Sequence, residues 1–277
     1  MASGVASKRL PSGAVIPTFG LGVYKSKKGK ETYEAVLSAL QLGYRHIDTA
    51  QWYRNEADVG RAVKDSGVPR EQVFLTTKLW MTEWGYDKAT AAVLQCNERL
   101  GGSYIDLMLL HAPGDADTRA ETWRALEDLR TQGVVRDIGV SNFGQAHLEK
   151  LFETARTKPA VNQIELHPWL TRTDLVAFCR QHNILVEAYS PLAKGTKFDD
   201  PELLVIATEL QATPAQVLLA YSIAKDFITI PKSVQSLRQR ENLTALSLAL
   251  RPQHVARLDS LDAGLVVAWD PITRHAV

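Results

Sequence analysis

The chain is poor in the features that would commit it to a secreted, membrane or metal-binding class. It has two cysteines in 277 residues, Cys96 and Cys179, far apart and without motif spacing. That argues against a disulfide framework, and both thiols are expected to be ordinary buried side chains of a reducing, cytoplasmic protein. No apolar stretch reaches the 18 or so residues a membrane span needs, and the N-terminus carries no apolar leader. An excess of one charge is also missing: Lys and Arg number 32, Asp and Glu 31. A chain so nearly balanced is not built for bulk binding to nucleic acid or membrane. Its basic run, Lys25–Lys30, lacks interleaved aromatics and is expected to be a solvated loop. The usual phosphate and metal signatures are missing too. Gly20-Leu21-Gly22 has neither the third glycine nor the following helix of a dinucleotide fingerprint, and no Walker loop, HExxH or CxxC occurs. No metal is expected.

What is present is a rhythm of short apolar strand, turn and amphipathic helix. Strands are expected at Thr18–Gly22, Tyr44–Ile47, Val73–Lys78, Ile105–His111, Val135–Val140, Val161–Ile164, Ile184–Tyr189 and Phe227–Ile230. Between them run helical patterns such as Glu31–Leu42. There Tyr33, Val36, Leu37 and Leu40 share one face, and Gly43 ends the helix. Each unit takes roughly 30–35 residues, the length of a βαβ crossover. Eight parallel strands in about 250 residues suit a closed (β/α)8 TIM barrel, with an open doubly wound sheet as the alternative. Lys8–Ile16, turning at Pro11-Ser12-Gly13, reads as an N-terminal β-hairpin cap. Extra helices are expected at 201–210, 214–225 and in the tail. No linker or low-complexity run divides the chain, so residues 1–277 are expected to form a single domain.

Four side chains stand at or just beyond the C-terminal ends of the early strands: Asp48, Tyr53, Lys78 and His111. In βα-repeat folds those ends face one mouth, so the four can meet. Their chemistry is complementary. A free phenol, with a pKa near 10, is a sluggish acid at neutral pH. An ammonium about 4 Å away stabilises the phenolate by roughly 4 kcal/mol at an effective dielectric of about 20. Lys78 is therefore expected to lower the Tyr53 phenol, Asp48 to keep Lys78 charged, and neutral His111 to orient a carbonyl oxygen. The set protonates an oxygen but holds no electron source, which implies a nicotinamide cofactor or another partner. Polar groups ending the later strands could hold one: Ser141 and Asn142, Gln163, Tyr189 and Ser190, and the basic pair Lys232 and Arg238.

Three segments give the chain a resemblance. "DTAQWYRNE" (Asp48–Glu56), "IGVSNF" (Ile138–Phe143) and "IPKSVQSLRQREN" (Ile230–Asn242) match, in order and spacing, signatures of the aldo-keto reductase family. The resemblance implies an eight-stranded βα barrel closed at its bottom by the hairpin. It also implies NADPH bound in extended form without a Rossmann domain. Carried over residue by residue, Asp48, Tyr53, Lys78 and His111 match the catalytic tetrad, with Tyr53 the proton donor. Tyr189 matches the ring stacked on the nicotinamide, and Ser141, Asn142 and Gln163 match the groups gripping its carboxamide. Ser190 and Leu192 match the pyrophosphate loop. Lys232, Ser233 and Arg238 match the contacts to the 2′-phosphate, and Glu241 and Asn242 those to adenine.

Departures from the family pattern bear on the substrate. Ala112 follows the tetrad histidine where many members have tryptophan, and the loops after His111 and over Ala193–Asp200 are short. This looks like the compact microbial-type reductases. The expected substrate walls are Tyr24, Trp52, Trp80, His111, Ala112 and Trp269, forming a cup open enough for small aldehydes, α-dicarbonyls or keto sugars. The chain is thus expected to reduce a small-molecule carbonyl as a monomer. A redox-sensing regulatory subunit, like the potassium-channel β subunits that resemble this family, is the alternative. A barrel hydrolase would need two facing carboxylates at the mouth, and only Asp48 is placed there.

Overall fold

The computed structural model describes residues 5–277. A hairpin of β1 (Ser7–Arg9) and β2 (Val15–Pro17) comes first, paired antiparallel with Lys8 opposite Ile16. Eight parallel strands follow. They are β3 (Leu21–Gly22), β4 (His46–Asp48), β5 (Phe74–Leu79), β6 (Ile105–Leu110), β7 (Val135–Ser141), β8 (Val161–Glu165), β9 (Leu185–Tyr189) and β10 (Ile228–Thr229). They lie side by side in sequence order, which is the simplest outcome of repeated βαβ crossovers. The middle strands are apolar runs buried on both faces, as parallel strands between helices must be; every residue of β5 and β6 is buried.

The helices are α1 (Lys30–Leu42), α2 (Glu56–Asp65), α3 (Tyr86–Arg99), α4 (Ala116–Thr131), α5 (Gln145–Phe152), α6 (Thr173–Gln181), α7 (Pro201–Glu209), α8 (Pro214–Ala224), α9 (Ser236–Thr244), α10 (Pro252–Asp259) and the short α11 (Pro271–Arg274). Their ends follow local chemistry. Gly43 takes φ 104° to stop α1, and Thr213 caps α8 in a reciprocal pair with Gln216, ahead of Pro214. The core between helices and sheet includes Trp123, Tyr44 and Phe19, all but fully buried. Each such side chain contributes about 1.5–3 kcal/mol. Among the described residues no single helix is long and apolar enough to cross a membrane.

The closed barrel expected from the repeat count is not formed. The ladder has two ends, β10 and β3, each two residues long, so the sheet is a curled, open half-barrel of eight strands. Its ends meet only at the isolated bridges Phe19↔Thr229 and Gly22↔Lys232. Local chemistry limits pairing there. Pro231 has no N–H, so it interrupts the ladder between these two bridges, though its carbonyl accepts from the Gly22 N–H at 3.0 Å. On the facing segment a Cβ at Gly22 would lie 3.1 Å from the Ile230 carbonyl oxygen, and one at Gly20 2.8 Å from the His46 ring. Glycines let the backbones approach without supplying side chains to pack. The strands expected at Thr18–Gly22 and Phe227–Ile230 are correspondingly shortened.

Candidate active site

The strand register sets the site. Asp48 ends β4 and pairs with Thr76 of β5; two residues along β5 comes Lys78. His111 follows β6, Ser141 ends β7, Gln163 lies on β8 and Tyr189 ends β9. All open at the C-terminal edge, where ligands bind in parallel sheets. Tyr53 comes in on a single 3₁₀ turn after β4. That turn is pinned from inside: the Thr49 hydroxyl donates to Asn55 Oδ1 at 2.7 Å, and Asn55 Nδ2 donates to the Val23 carbonyl at 3.2 Å.

The four candidate residues meet as expected. Lys78 Nζ donates to Asp48 Oδ1 at 2.7 Å, Asp48 Oδ2 at 2.8 Å and the Thr49 carbonyl at 2.9 Å, and stands 3.4 Å from the Tyr53 hydroxyl. The His111 ring meets the Tyr53 ring edge-on at 5.6 Å. Electrostatics correct one expectation. Burial first, then the Asp48 charge, hold the Tyr53 phenol well above the ordinary tyrosine range. The ammonium is spent on Asp48 and on a backbone carbonyl, and it reaches the phenol only at the long end of hydrogen-bond range. Tyr53 is therefore fully protonated at neutral pH, the form a proton donor starts from. Burial, helped by Lys78, pushes His111 well down, so its ring is neutral. Its Nδ1 is buried and has no partner among the described residues. Burial raises the Asp48 carboxyl, and the Lys78 ammonium opposes that rise.

Around the four lies a cleft of about 810 Å³. Tyr24, Trp52, Trp80 and Trp269 form its aromatic wall; Trp52 stacks on Trp80 at 4.4 Å, and Trp80 meets Trp269 at 5.7 Å. Ser141, Asn142, Gln163, Tyr189, Ser190, Leu192, Lys232 and Arg238 line it as well. Other expected residues do not. Ala112 is fully buried. Ser233 is turned toward Gln235, and Glu241 accepts from the Thr213 hydroxyl at 2.8 Å. Asn242 is buried in α9.

Three features went unread in the sequence. Gln163 Nε2 donates to Asp48 Oδ2 at 2.8 Å, so β8 reaches across to hold the acid–base pair. Lys25 and Lys194 line the cleft. Lys25 lay within the run assigned to solvent, and Lys194 sits in a turn where Ala193 and Lys194 take φ 45° and 54°, left-handed values no sequence pattern announces for those residues. Glu187 lies in the floor, wholly buried. A nucleotide cofactor fits this donor set. Four cations, Lys25, Lys194, Lys232 and Arg238, line one cleft with a half-buried tyrosine ring, and neither Lys232 nor Arg238 is in a salt bridge among the described residues.

The chain resembles known proteins in sequence and fold. Residues 18–263 match the aldo/keto reductase family. The glyoxal reductase of Bacillus subtilis is 43% identical over 263 residues, 95% of each chain. The 9,11-endoperoxide prostaglandin H2 reductase of Trypanosoma cruzi is 42% identical over 259 residues, 92% of this chain and 91% of that one. Among solved structures, an aldo-keto reductase of Bombyx mori in complex with NADP superposes with a TM-score of 0.90 at 33% identity, covering 96% of both chains. The chain belongs to the aldo/keto reductase family.

Proposed function

We propose that this protein reduces small carbonyl compounds, α-dicarbonyls first among them, with NADPH as reductant and Tyr53 as proton donor. As a family member it is an NADP(H)-dependent oxidoreductase. The observation that carries the reading is the Tyr53 hydroxyl, 3.4 Å from Lys78 and lining an aromatic cleft. NADPH, when bound, supplies the hydride. Tyr53 gives its proton to the substrate oxygen, and the Lys78 ammonium stabilises the phenolate left behind, while Asp48 and Gln163 hold Lys78 in place. The neutral His111 ring, facing the cleft beside Tyr53, orients the carbonyl oxygen.

For the cofactor, Tyr189 offers a ring, Ser141, Asn142 and Gln163 amide and hydroxyl groups, and Ser190 and Leu192 a loop with Ser190 at φ 50°. Lys232 and Arg238, with Ser233, supply charge for a 2′-phosphate; Glu241 and Asn242 complete the set on α9. Buried, unbonded Cys96 and Cys179 suit a reducing cytoplasm, in which one 277-residue domain acts as a monomer.

The substrate choice rests on the exposed wall. Tyr24 is 44% and Trp52 49% exposed, so rings and long chains gain little enclosure. The glyoxal-reducing relative supports small dicarbonyls, and the prostaglandin-reducing relative supports a larger substrate. NADPH oxidation with methylglyoxal, short aldehydes, keto sugars and prostaglandin H2 decides between them. The expected result is the highest kcat/KM on methylglyoxal, with KM at or above about 1 mM. A micromolar KM for the prostaglandin would overturn the small-substrate reading.

A further inference from the structure

Beneath the four residues at the mouth, a second set of ionisable groups points into the interior. Glu187 lies on β9, in register with Gln163 of β8 and Ile228 of β10, and two residues before Tyr189. His46 lies on β4, two residues before Asp48, on the same face. Both side chains are fully buried, with His46 Nε2 3.5 Å from Glu187 Oε1. Among the described residues, neither Glu187 oxygen has a hydrogen-bond partner.

The His46 ring decides where the protons sit. Its Nδ1 faces the Pro17 carbonyl oxygen at 3.3 Å, which can only accept, so Nδ1 carries the hydrogen. On a neutral ring Nε2 is then a lone pair, faced by the Thr76 hydroxyl at 3.0 Å and by Glu187. The Thr76 hydroxyl can donate to that lone pair; a carboxylate at Glu187 would set negative oxygen against it, whereas a neutral carboxylic acid would not. The ring has no room to turn away, because the Gly20 backbone packs against it. The other arrangement, imidazolium with carboxylate, would bring a second cation toward Lys78 and a second anion toward Asp48 in a dry interior. We propose that Glu187 is a neutral acid facing His46 Nε2, and that its neutrality makes it a positioning residue, leaving Asp48 the one anion opposite Lys78.

The electrostatics agree. Burial, then the Asp48 charge, push Glu187 up to about 8, and burial pushes His46 down to about 3. The groups facing Glu187 are His46 and Asp48 from β4, Lys78 from β5, Gln163 from β8 and Tyr53 from its turn. Ile228 and Thr229 of β10 do not ionise. In alkaline solution the second anion competes with Asp48 for Lys78 and raises the Tyr53 phenol further, so proton donation weakens. This consequence rests on the functional reading above; the protonation itself does not.

Linkage gives a test that needs no substrate. A glutamate whose pKa is raised by folding contributes stability that is complete below its ordinary value and is lost as pH rises through about 8. Glu187→Gln cannot ionise and keeps the shape of the neutral acid. The Tm of Glu187→Gln minus that of wild type should therefore widen from about pH 5 to about pH 9. Glu187→Leu, which keeps the bulk and removes the polarity, should widen in the same way should the glutamine variant fail to fold. Wild-type kcat should fall about ten-fold from pH 7 to pH 9, one unit beyond the ionisation, and Glu187→Gln should lose most of that fall. A Tm difference independent of pH would overturn the neutral acid. A widening difference with an unchanged alkaline fall in both proteins would overturn the coupling to Tyr53. Absence of carbonyl turnover in the wild type would count against the proposed function alone, since the Tm series still decides the protonation.

Discussion

Asp48 and Asp106 are both buried carboxylates on parallel strands, and both bind cations, yet they do different work. Asp106 stands near the start of β6. It accepts from Arg70 at 2.8 Å, from Arg136 at 3.4 Å and from the Leu75 backbone N–H at 3.0 Å. The two guanidiniums also lie over the Tyr104 ring, at 4.1 and 3.7 Å from its centroid. The cluster is turned in on itself and staples the strand starts. Asp48 is as well satisfied, but its lysine also touches a tyrosine hydroxyl that faces the cleft. Burial pushes both carboxyls upward, so perturbation alone does not separate a staple from a site. What separates them is whether the network ends in a group free to exchange a proton with a ligand.

Substitutions can sharpen that contrast. The largest effect is expected from Tyr53→Phe, which keeps the ring contacts with Tyr24 and His111 and deletes the proton. Its kcat should drop at least about a hundred-fold, with NADPH binding and Tm close to wild type. Retention of more than half the activity would remove Tyr53 from the mechanism. Asp106→Asn should do the reverse. It should lower stability by about 1.5–3 kcal/mol, seen in denaturant unfolding, and leave the kcat of the folded enzyme intact. A large loss of kcat at full folding would show that the staple reaches the site. The smallest effect is expected at the exposed rim. Wild type should prefer NADPH over NADH by about ten-fold or more, and Arg238→Ala should erode that preference without altering kcat for saturated enzyme. Equal Kd values for the two cofactors in the wild type would dissociate Lys232 and Arg238 from the phosphate.

The proton-handling half of the site was legible because its residues sit at fixed points in a strong pattern: apolar strand, then a polar residue at the C-terminal end. The alternation that buries Ile47 also directs Asp48 to the interior. The half-barrel seam was not legible. Counting eight apolar runs says nothing of how the first and last will pair, and that outcome turns on Pro231 and on two glycines whose missing side chains matter. Ala112 was taken for a wall of the mouth from its position after His111, whereas its side chain is fully buried. Replacing it with tryptophan would overpack the core rather than enclose a substrate. Gln163 was assigned to the cofactor from its place on a later strand and from the family resemblance, but its amide also holds Asp48, a cross-sheet contact invisible to any local pattern.

The tryptophans have an optical consequence. Three of the chain's six indoles, Trp52, Trp80 and Trp269, line the cleft in mutual contact, whereas Trp123 is sealed in the core. The emission of this protein is therefore a sum of a dark-shielded signal and one that samples whatever enters the mouth. A reduced nicotinamide absorbs where indole emits, so its arrival should quench the cleft indoles most strongly. The enzyme carries its own gauge of occupancy, readable without turnover and without an added label.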